Sequence, residues 1–316
     1  MSNLFFYEHE YLGTHTGIKK TLEETIKESC KKCYYTIQIF LGSPYNLKRK
    51  DIINDDITKS NNLLKQSNLN IFTHLPYIHN LAGSVKNNCL HWTGEQSDTY
   101  ILESLKSIED EILFLDKLNC PRKGAVLHIG SSGKFDSKQG IEKVAISINK
   151  IKFNSHEKNP SKLILETMVG RGGVLGRTFE ELKYVYDLVE NKERIGFCID
   201  TCHVFAEGLY DLRKKEEIDK MFNDFDAIIG LDKLSLIHLN DSKTPFNSKQ
   251  DKHERIGTGE IFKNVKCLQY MLKKINDYKI STVLETVEED YDVIQQAWNL
   301  VSEEIKVGAD DPKENL

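Results

Sequence analysis

Residues 234–241 read LSLIHLND. In an extended chain alternate residues face the same side, so Leu234, Leu236, His238 and Asn240 form one row. The run is apolar almost throughout and turns polar only at its carboxyl end. That pattern suits a parallel strand covered on both faces. Seven other runs share it: EYLGTH (10–15), TIQIFL (36–41), NIFTH (70–74), AVLH (125–128), KLILE (162–166), IGFCID (195–200) and STVLE (281–285). Between them lie stretches of helical spacing such as Ser104–Leu118 and Phe179–Leu188. The alternation predicts the α/β class and a single (β/α)8 TIM barrel, its active site at the C-terminal ends of the strands.

Bulk properties agree with that class. The chain has 316 residues, 39% of them hydrophobic, and a mean hydropathy of −0.46. No run approaches the ~18 apolar residues of a membrane helix. The opening MSNLFFYEHEYLG has neither a basic n-region nor a long apolar h-region, so no secretory signal is expected and the chain reads as intracellular, in a reducing compartment (cytoplasm or nucleus). Residues 1–307 are expected to form one catalytic domain, and 308–316, GADDPKENL, a flexible tail. Of the seven cysteines, Cys30 and Cys33 form a CxxC, but no second such pair exists to complete a zinc ribbon. The net charge of −5 weighs against a nucleic-acid partner unless metal ions neutralise some carboxylates. Basic residues do gather locally, at Lys48-Arg49-Lys50, at Arg171 with Arg177, and from Lys243 to Arg255.

The polar residues of the strand runs are concentrated at their ends. His15, His74, His128, Glu166, Asp200, His238 and Glu285 all stand at or near a carboxyl end, and in a barrel these ends converge. Buried imidazoles and carboxylates at that density need metal or one another. Two local pairs add to the set: Asp200 and His203, three apart in CIDTCH, and Asp251 and His253, two apart in DKH. Five imidazoles with four carboxylates suit zinc, with manganese or iron as substitutes, better than the oxygen-seeking magnesium or calcium. A metal-dependent sugar isomerase or epimerase on the same barrel would use one or two ions and many of the same residue types.

YLGTHT (11–16), QIFLGSP (38–44), LETMVGRG (165–172), CIDTCHVFAEGLYDLR (198–213), HLNDSK (238–243), DKHERIGTGEI (251–261) and VLET (283–286) resemble, in order, the signature blocks of the endonuclease IV family of apurinic/apyrimidinic endonucleases, within the xylose-isomerase-like barrel superfamily. The resemblance implies a trinuclear zinc site that hydrolyses the phosphodiester 5′ to an abasic site, leaving a 3′-hydroxyl and a 5′-deoxyribose phosphate. It implies double-stranded DNA as partner, no membrane, and a monomer. Carried over position by position, His74, His128 and Glu166 would hold one ion. Glu166 would bridge to a second, completed by Asp200, His238 and Glu285, and His203, Asp251 and His253 would hold the third. Glu166 is also the expected catalytic residue, and His15 a supporting one.

The chain departs from its relatives in the loops. Tyr45 and Asn46 follow QIFLGSP where many relatives carry Arg, and Arg171 stands where Gln is common. Tyr77 and Ile78 match the family's wedge position. Candidate DNA contacts are therefore Tyr45, Lys48, Arg49, Lys50, Tyr77, Ile78 and Arg171. His9, His79, His91 and His156 match no ligand position and are expected in loops or facing solvent, and Cys198 and Cys202 are read as packing residues. A protein that grips damaged DNA without cutting it is the other alternative.

Overall fold

The strand runs close on themselves. In this computed structural model, which describes residues 11–83, 94–133, 136–153, 158–287 and 290–297, there are ten strands. They are β1 (Leu12–His15), β2 (Thr36–Ile39), β3 (Asn70–His74), β4 (Lys123–Leu127), β5 (Lys162–Glu166), β6 (Ile195–Asp200), β7 (Leu234–His238), β8 (Asp241–Ser242), β9 (His253–Glu254) and β10 (Ser281–Leu284). β1 to β7 and β10 form a closed parallel barrel in which β10 pairs with β1, while β8 and β9 make a separate antiparallel ribbon above it. The helices are α1 (Leu22–Lys31), α2 (Asn54–Leu64), α3 (Gly94–Asp116), α4 (Ser137–Ile148), α5 (Phe179–Leu188), the short α6 (Thr201–Ala206), α7 (Lys215–Ile228) and α8 (Val265–Asp277), with a further helical stretch at 290–297. No helix among the described residues is long and apolar enough to cross a membrane.

Helix starts follow local chemistry. The side chains of Thr21, Asp136, Thr178 and Asn264 each accept a backbone N–H from the first turn of α1, α4, α5 and α8. Acidic residues in the first turns of α1 and α5 add favourable charge at the positive end of the helix dipole.

The barrel interior positions the site. Phe72, Val126, Ile164, Cys198, Leu236 and Val283 form one buried cluster inside the strands. Each lies two residues before His74, His128, Glu166, Asp200, His238 and Glu285 respectively. Because the strand period is two, the apolar layer fixes the polar layer stacked on it. β1 and β2 supply His15 and Gln38 to the same level, where the Gln38 amide reaches the His15 ring at 3.1 Å. β1 lies unusually close to β2: a Cβ on Gly13 would fall 1.5 Å from the Thr36 carbonyl oxygen, so only glycine fits. The opposite end of the barrel is tied by a buried pair, Arg194 with Asp116 at 3.0 Å, and Ser161 donates its hydroxyl to the same carboxylate at 2.7 Å.

Several boundaries differ from the sequence reading. β4 begins at Lys123 rather than Ala125 and ends one residue short of His128; β2 stops at Ile39, β7 at His238 and β10 at Leu284. β1 begins at Leu12, Glu10 lying outside the described residues. α3 starts ten residues before Ser104, because the apolar stripe that marks it covers only its C-terminal half. The tail 308–316 lies outside the described residues.

Candidate metal centre

β5 ends in Glu166, which is fully buried. Its Oε2 lies 3.4 Å from His74 Nε2 and 3.0 Å from His128 Nε2, and its Oε1 lies 2.9 Å from His238 Nδ1. His238 Nδ1 is also 3.3 Å from Glu285 Oε2 and 3.9 Å from Asp200 Oδ2. On the outer side His203 Nε2 sits 3.1 Å from Asp251 Oδ2, and His253 Nε2 sits 3.3 Å from Asp251 Oδ1 and 3.5 Å from Asp200 Oδ2. All nine residues singled out as ligands thus gather in overlapping groups able to hold metal ions: His74–His128–Glu166, Glu166–Asp200–His238–Glu285 and His203–Asp251–His253. Within each group the donor atoms lie within 4.8 Å of one another.

The side chains are aimed by partners behind them. His74 Nδ1 donates to the Leu75 carbonyl and His203 Nδ1 to the Thr167 carbonyl, each at 2.7 Å. His238 Nε2 donates to Gln38 Oε1 at 2.8 Å. In all three rings the outward nitrogen donates to a partner behind it, so the other nitrogen is turned to the carboxylates and, once it gives up its proton, offers its lone pair to a metal. Asp200 serves twice. Its Oδ1 accepts the His203 backbone N–H at 2.9 Å and so caps α6, which holds His203 in place, while its Oδ2 faces the cluster. Asn240 donates to Asp200 Oδ2 at 2.7 Å and to Glu285 Oε2 at 3.0 Å, and Gln38 donates to Glu285 Oε1 at 2.7 Å. The sequence reading does not place Gln38 in the site. An amide inside the apolar run TIQI is its one visible signal.

The electrostatics point to cations. Burial works against the Glu166 carboxylate, yet His238 and His128 outweigh it and hold its carboxyl well below the usual range. Burial likewise disfavours charged His203, His238 and His253, but their neighbours raise all three: Cys198 and then Glu285 and Glu166 at His238, and the surrounding carboxylates at His203 and at His253, the last to about 9. Even so, Glu166 Oε2, His203 Nε2 and His253 Nε2 are buried without a hydrogen-bond partner. Divalent ions between donors 3.0–3.5 Å apart would take the place of the protons these rings otherwise hold and would satisfy the unpartnered atoms, so the donors present fit zinc. Cys198 and Cys202 lie against this cluster, and burial pushes both thiols up, Cys198 to about 12. His15 is pushed down to about 4 by burial and touches Gln38 and Phe40, which lead to the cluster.

An aromatic ladder rises from the centre. The Tyr77 ring packs 5.0 Å from His74 and 5.3 Å from His128, and Tyr45 packs 6.1 Å from Tyr77. Tyr45 is 74% exposed, Tyr77 and Ile78 are partly so, and Lys48, Lys50 and Arg171 are exposed. Arg49 differs from its neighbours and corrects the sequence reading. Its guanidinium turns inward onto buried Glu111 at 3.0 Å and donates to the Ser43, Asn46 and Leu47 carbonyls of its own loop. It is therefore a staple for the loop that carries Tyr45, with no free face for a phosphate. His79, expected in a loop or facing solvent, lies in the loop after β3 and is buried there. His9, His91 and His156 lie outside the described residues.

A parallel barrel with an imidazole–carboxylate centre at its carboxyl end defines a metal-site protein of the TIM-barrel class, and comparison with known proteins narrows it. Residues 29–306 match the xylose isomerase-like TIM barrel family. A Staphylococcus aureus protein named probable endonuclease 4 is 34% identical over 307 residues, spanning 96% of this chain and 97% of its own. Endonuclease IV from Thermus thermophilus shares the fold with a TM-score of 0.73 at 22% identity, covering 93% of this chain and 99% of its own. A D-tagatose 3-epimerase-like protein shares it with a TM-score of 0.64 at 17% identity, covering 93% and 99%. The chain belongs to the endonuclease IV family of xylose isomerase-like TIM barrels.

The Arg49–Glu111 staple has a pH signature. Burial, opposed by Thr73 and Arg49, pushes the Glu111 carboxyl up to about 7. A carboxyl whose folded pKa is raised costs no stability while protonated and becomes costly as pH climbs from its unfolded value through the folded one. Arg49→Ala removes a group that favours the charged form, so the folded pKa climbs further and the variant loses more stability at pH 8 than at pH 5, the difference being on the order of 1–2 kcal/mol. Urea unfolding of both proteins at the two pH values measures it; an equal loss at both would contradict the assignment.

Proposed function

We propose that this protein is an abasic-site endonuclease that hydrolyses the phosphodiester 5′ to the lesion in double-stranded DNA, leaving a 3′-hydroxyl and a 5′-deoxyribose phosphate. The observation that carries the proposal is the set of three donor groups, the first two sharing Glu166. His74, His128 and Glu166 would hold one zinc ion; Glu166, Asp200, His238 and Glu285 a second; His203, Asp251 and His253 the third, with manganese or iron as substitutes. When bound, such ions lower the pKa of water and neutralise charge growing on a phosphate. Family membership supports a nuclease that acts on DNA, and the name borne by the Staphylococcus aureus relative points the same way.

The chain's own residues have distinct parts in this chemistry. Four carboxylates, Glu166, Asp200, Asp251 and Glu285, against three divalent charges leave the floor of the site net positive, so a phosphate is drawn there in a protein of net charge −5. Glu166 is a weak base among its imidazoles, which suits it to accept a hydrogen bond and orient the attacking water. Tyr77, its hydroxyl pushed up by burial and by Glu285, stays protonated and presents its ring above His74 and His128. With Tyr45 and Ile78 it forms the apolar edge that would fill the duplex once the abasic nucleotide turns out. Lys48, Lys50 and Arg171 would lie along phosphates. A sugar epimerase on the same barrel leaves His203, Asp251 and His253 without a task.

Incubation of metal-loaded protein with a duplex carrying one abasic analogue tests the proposal. Cleavage with the stated ends is expected. A duplex that is bound and left intact would mean a damage-binding protein instead. Glu166→Gln should lower turnover by more than about 100-fold while largely keeping duplex binding; unchanged turnover would place the organisation of the nucleophile elsewhere.

Recognition divides by loop. Tyr77→Ala should weaken abasic over intact duplex by about 1–3 kcal/mol with the salt slope unchanged. Lys48→Ala with Lys50→Ala should weaken both duplexes alike and flatten the slope of log K against log salt by roughly 1.8. Titrations at several salt concentrations distinguish them, and the reverse pattern would exchange the two roles.

A further inference from the structure

The third donor group stands on a weaker support than the other two. His74, Glu166, Asp200 and His238 are anchored in barrel strands, whereas Asp251 and His253 belong to an excursion between β7 and α8. Residues 243–252 leave the barrel and return, closed at their base by the β8–β9 ribbon in which Ser242 faces His253, and by Lys243 N–H on the Lys252 carbonyl at 2.8 Å. Two paired residues per strand are too little to fix such a loop alone.

The chain beyond the ribbon is held at two points: Asp290 accepts the Ile256 N–H at 3.1 Å and the Arg255 guanidinium at 3.0 Å, and Asp241 gathers the segment that follows, where Glu260 N–H also reaches the Ser242 carbonyl at 2.6 Å. Asp241 is fully buried and accepts five backbone N–H groups: Ser242 and Ile261 at 2.8 Å, Gly257 at 3.0 Å, Gly259 at 3.1 Å and Phe262 at 3.3 Å. Four of these donors lie in the returning segment 257–262, which is thereby wrapped around a single carboxylate. The approach is so tight that a Cβ on Gly259 would fall 2.4 Å from Asp241 Oδ1. Asp241 itself belongs to none of the three donor groups, and stands three residues beyond His238.

We propose that Asp241 is a positioning residue for the third ion: by clamping the return after β9 it fixes His253 and Asp251 against His203. The inference rests on the three-ion reading above. A carboxylate is needed because both oxygens accept and neither donates. In Asp241→Asn one oxygen becomes an NH2 that meets N–H donors, so part of the clamp is lost while volume is kept. The pairs on barrel strands do not depend on it.

The test is zinc retention during titration with a competing chelator, for wild type, Asp241→Asn and Gly259→Ala, with hydrogen exchange of the 257–262 amides measured in parallel. Gly259→Ala attacks the same clamp from the loop side and leaves Asp241 in place, so it carries the test if Asp241→Asn fails to fold. The expected result is one ion in three lost on the order of 10–100-fold more readily in the variants, the others unchanged, with faster exchange confined to the return segment. Wild-type retention of all three ions in both variants would overturn the proposal, as would their parallel loss of all three. Wild type holding fewer than three ions would instead overturn the three-ion reading, and the proposal with it.

Discussion

A carboxylate buried among imidazoles governs the organisation of this protein. Glu166 has no exposure to solvent, and an isolated carboxylate there would take up a proton rather than remain charged. It stays ionised because His238 and His128 close on its two oxygens, with His74 Nε2 3.4 Å from one of them. Two of those rings are in turn oriented from behind, His74 by a carbonyl oxygen and His238 by the Gln38 amide. The arrangement leaves lone pairs turned inward and unpartnered. Cations would complete it: residues that strain an apolar core would serve well as a metal floor.

The barrel divides this burden between its ends. At the amino end, charge is neutralised internally: Arg194 and Asp116 close on each other, and Lys123 donates to the Asp116 and Leu118 carbonyls. At the carboxyl end, imidazoles and carboxylates gather instead into groups able to hold metal ions. Between the two lies the apolar layer of Phe72, Val126, Ile164, Cys198, Leu236 and Val283, which transmits strand register directly to the ligands above it. A one-residue slip of any of these strands would exchange an inward ligand for an outward apolar residue.

Much of this is legible in the sequence for a simple reason. A strand has period two, so a histidine or acid closing an apolar run of that period must point the way the run's alternate residues do; His74, Glu166, Asp200 and His238 are readable on that basis. Asp251 and His253 are not, since no strand period reaches them, and the resemblance of DKHERIGTGEI to a family block is what supplies them. Arg49 illustrates the opposite failure. In Lys48-Arg49-Lys50 all three residues look alike, and what singles out the middle one is Glu111, 62 residues away on α3. Gln38 and Asp241 escape for a related reason: each acts through hydrogen bonds to residues distant in sequence, which the strand period does not report.

The most direct test of the account is elemental analysis of protein purified without chelator. Three transition-metal ions per chain, mostly zinc, are predicted, falling to two in Asp251→Ala while the fold is retained. A single ion per chain that Asp251→Ala leaves unchanged would contradict it.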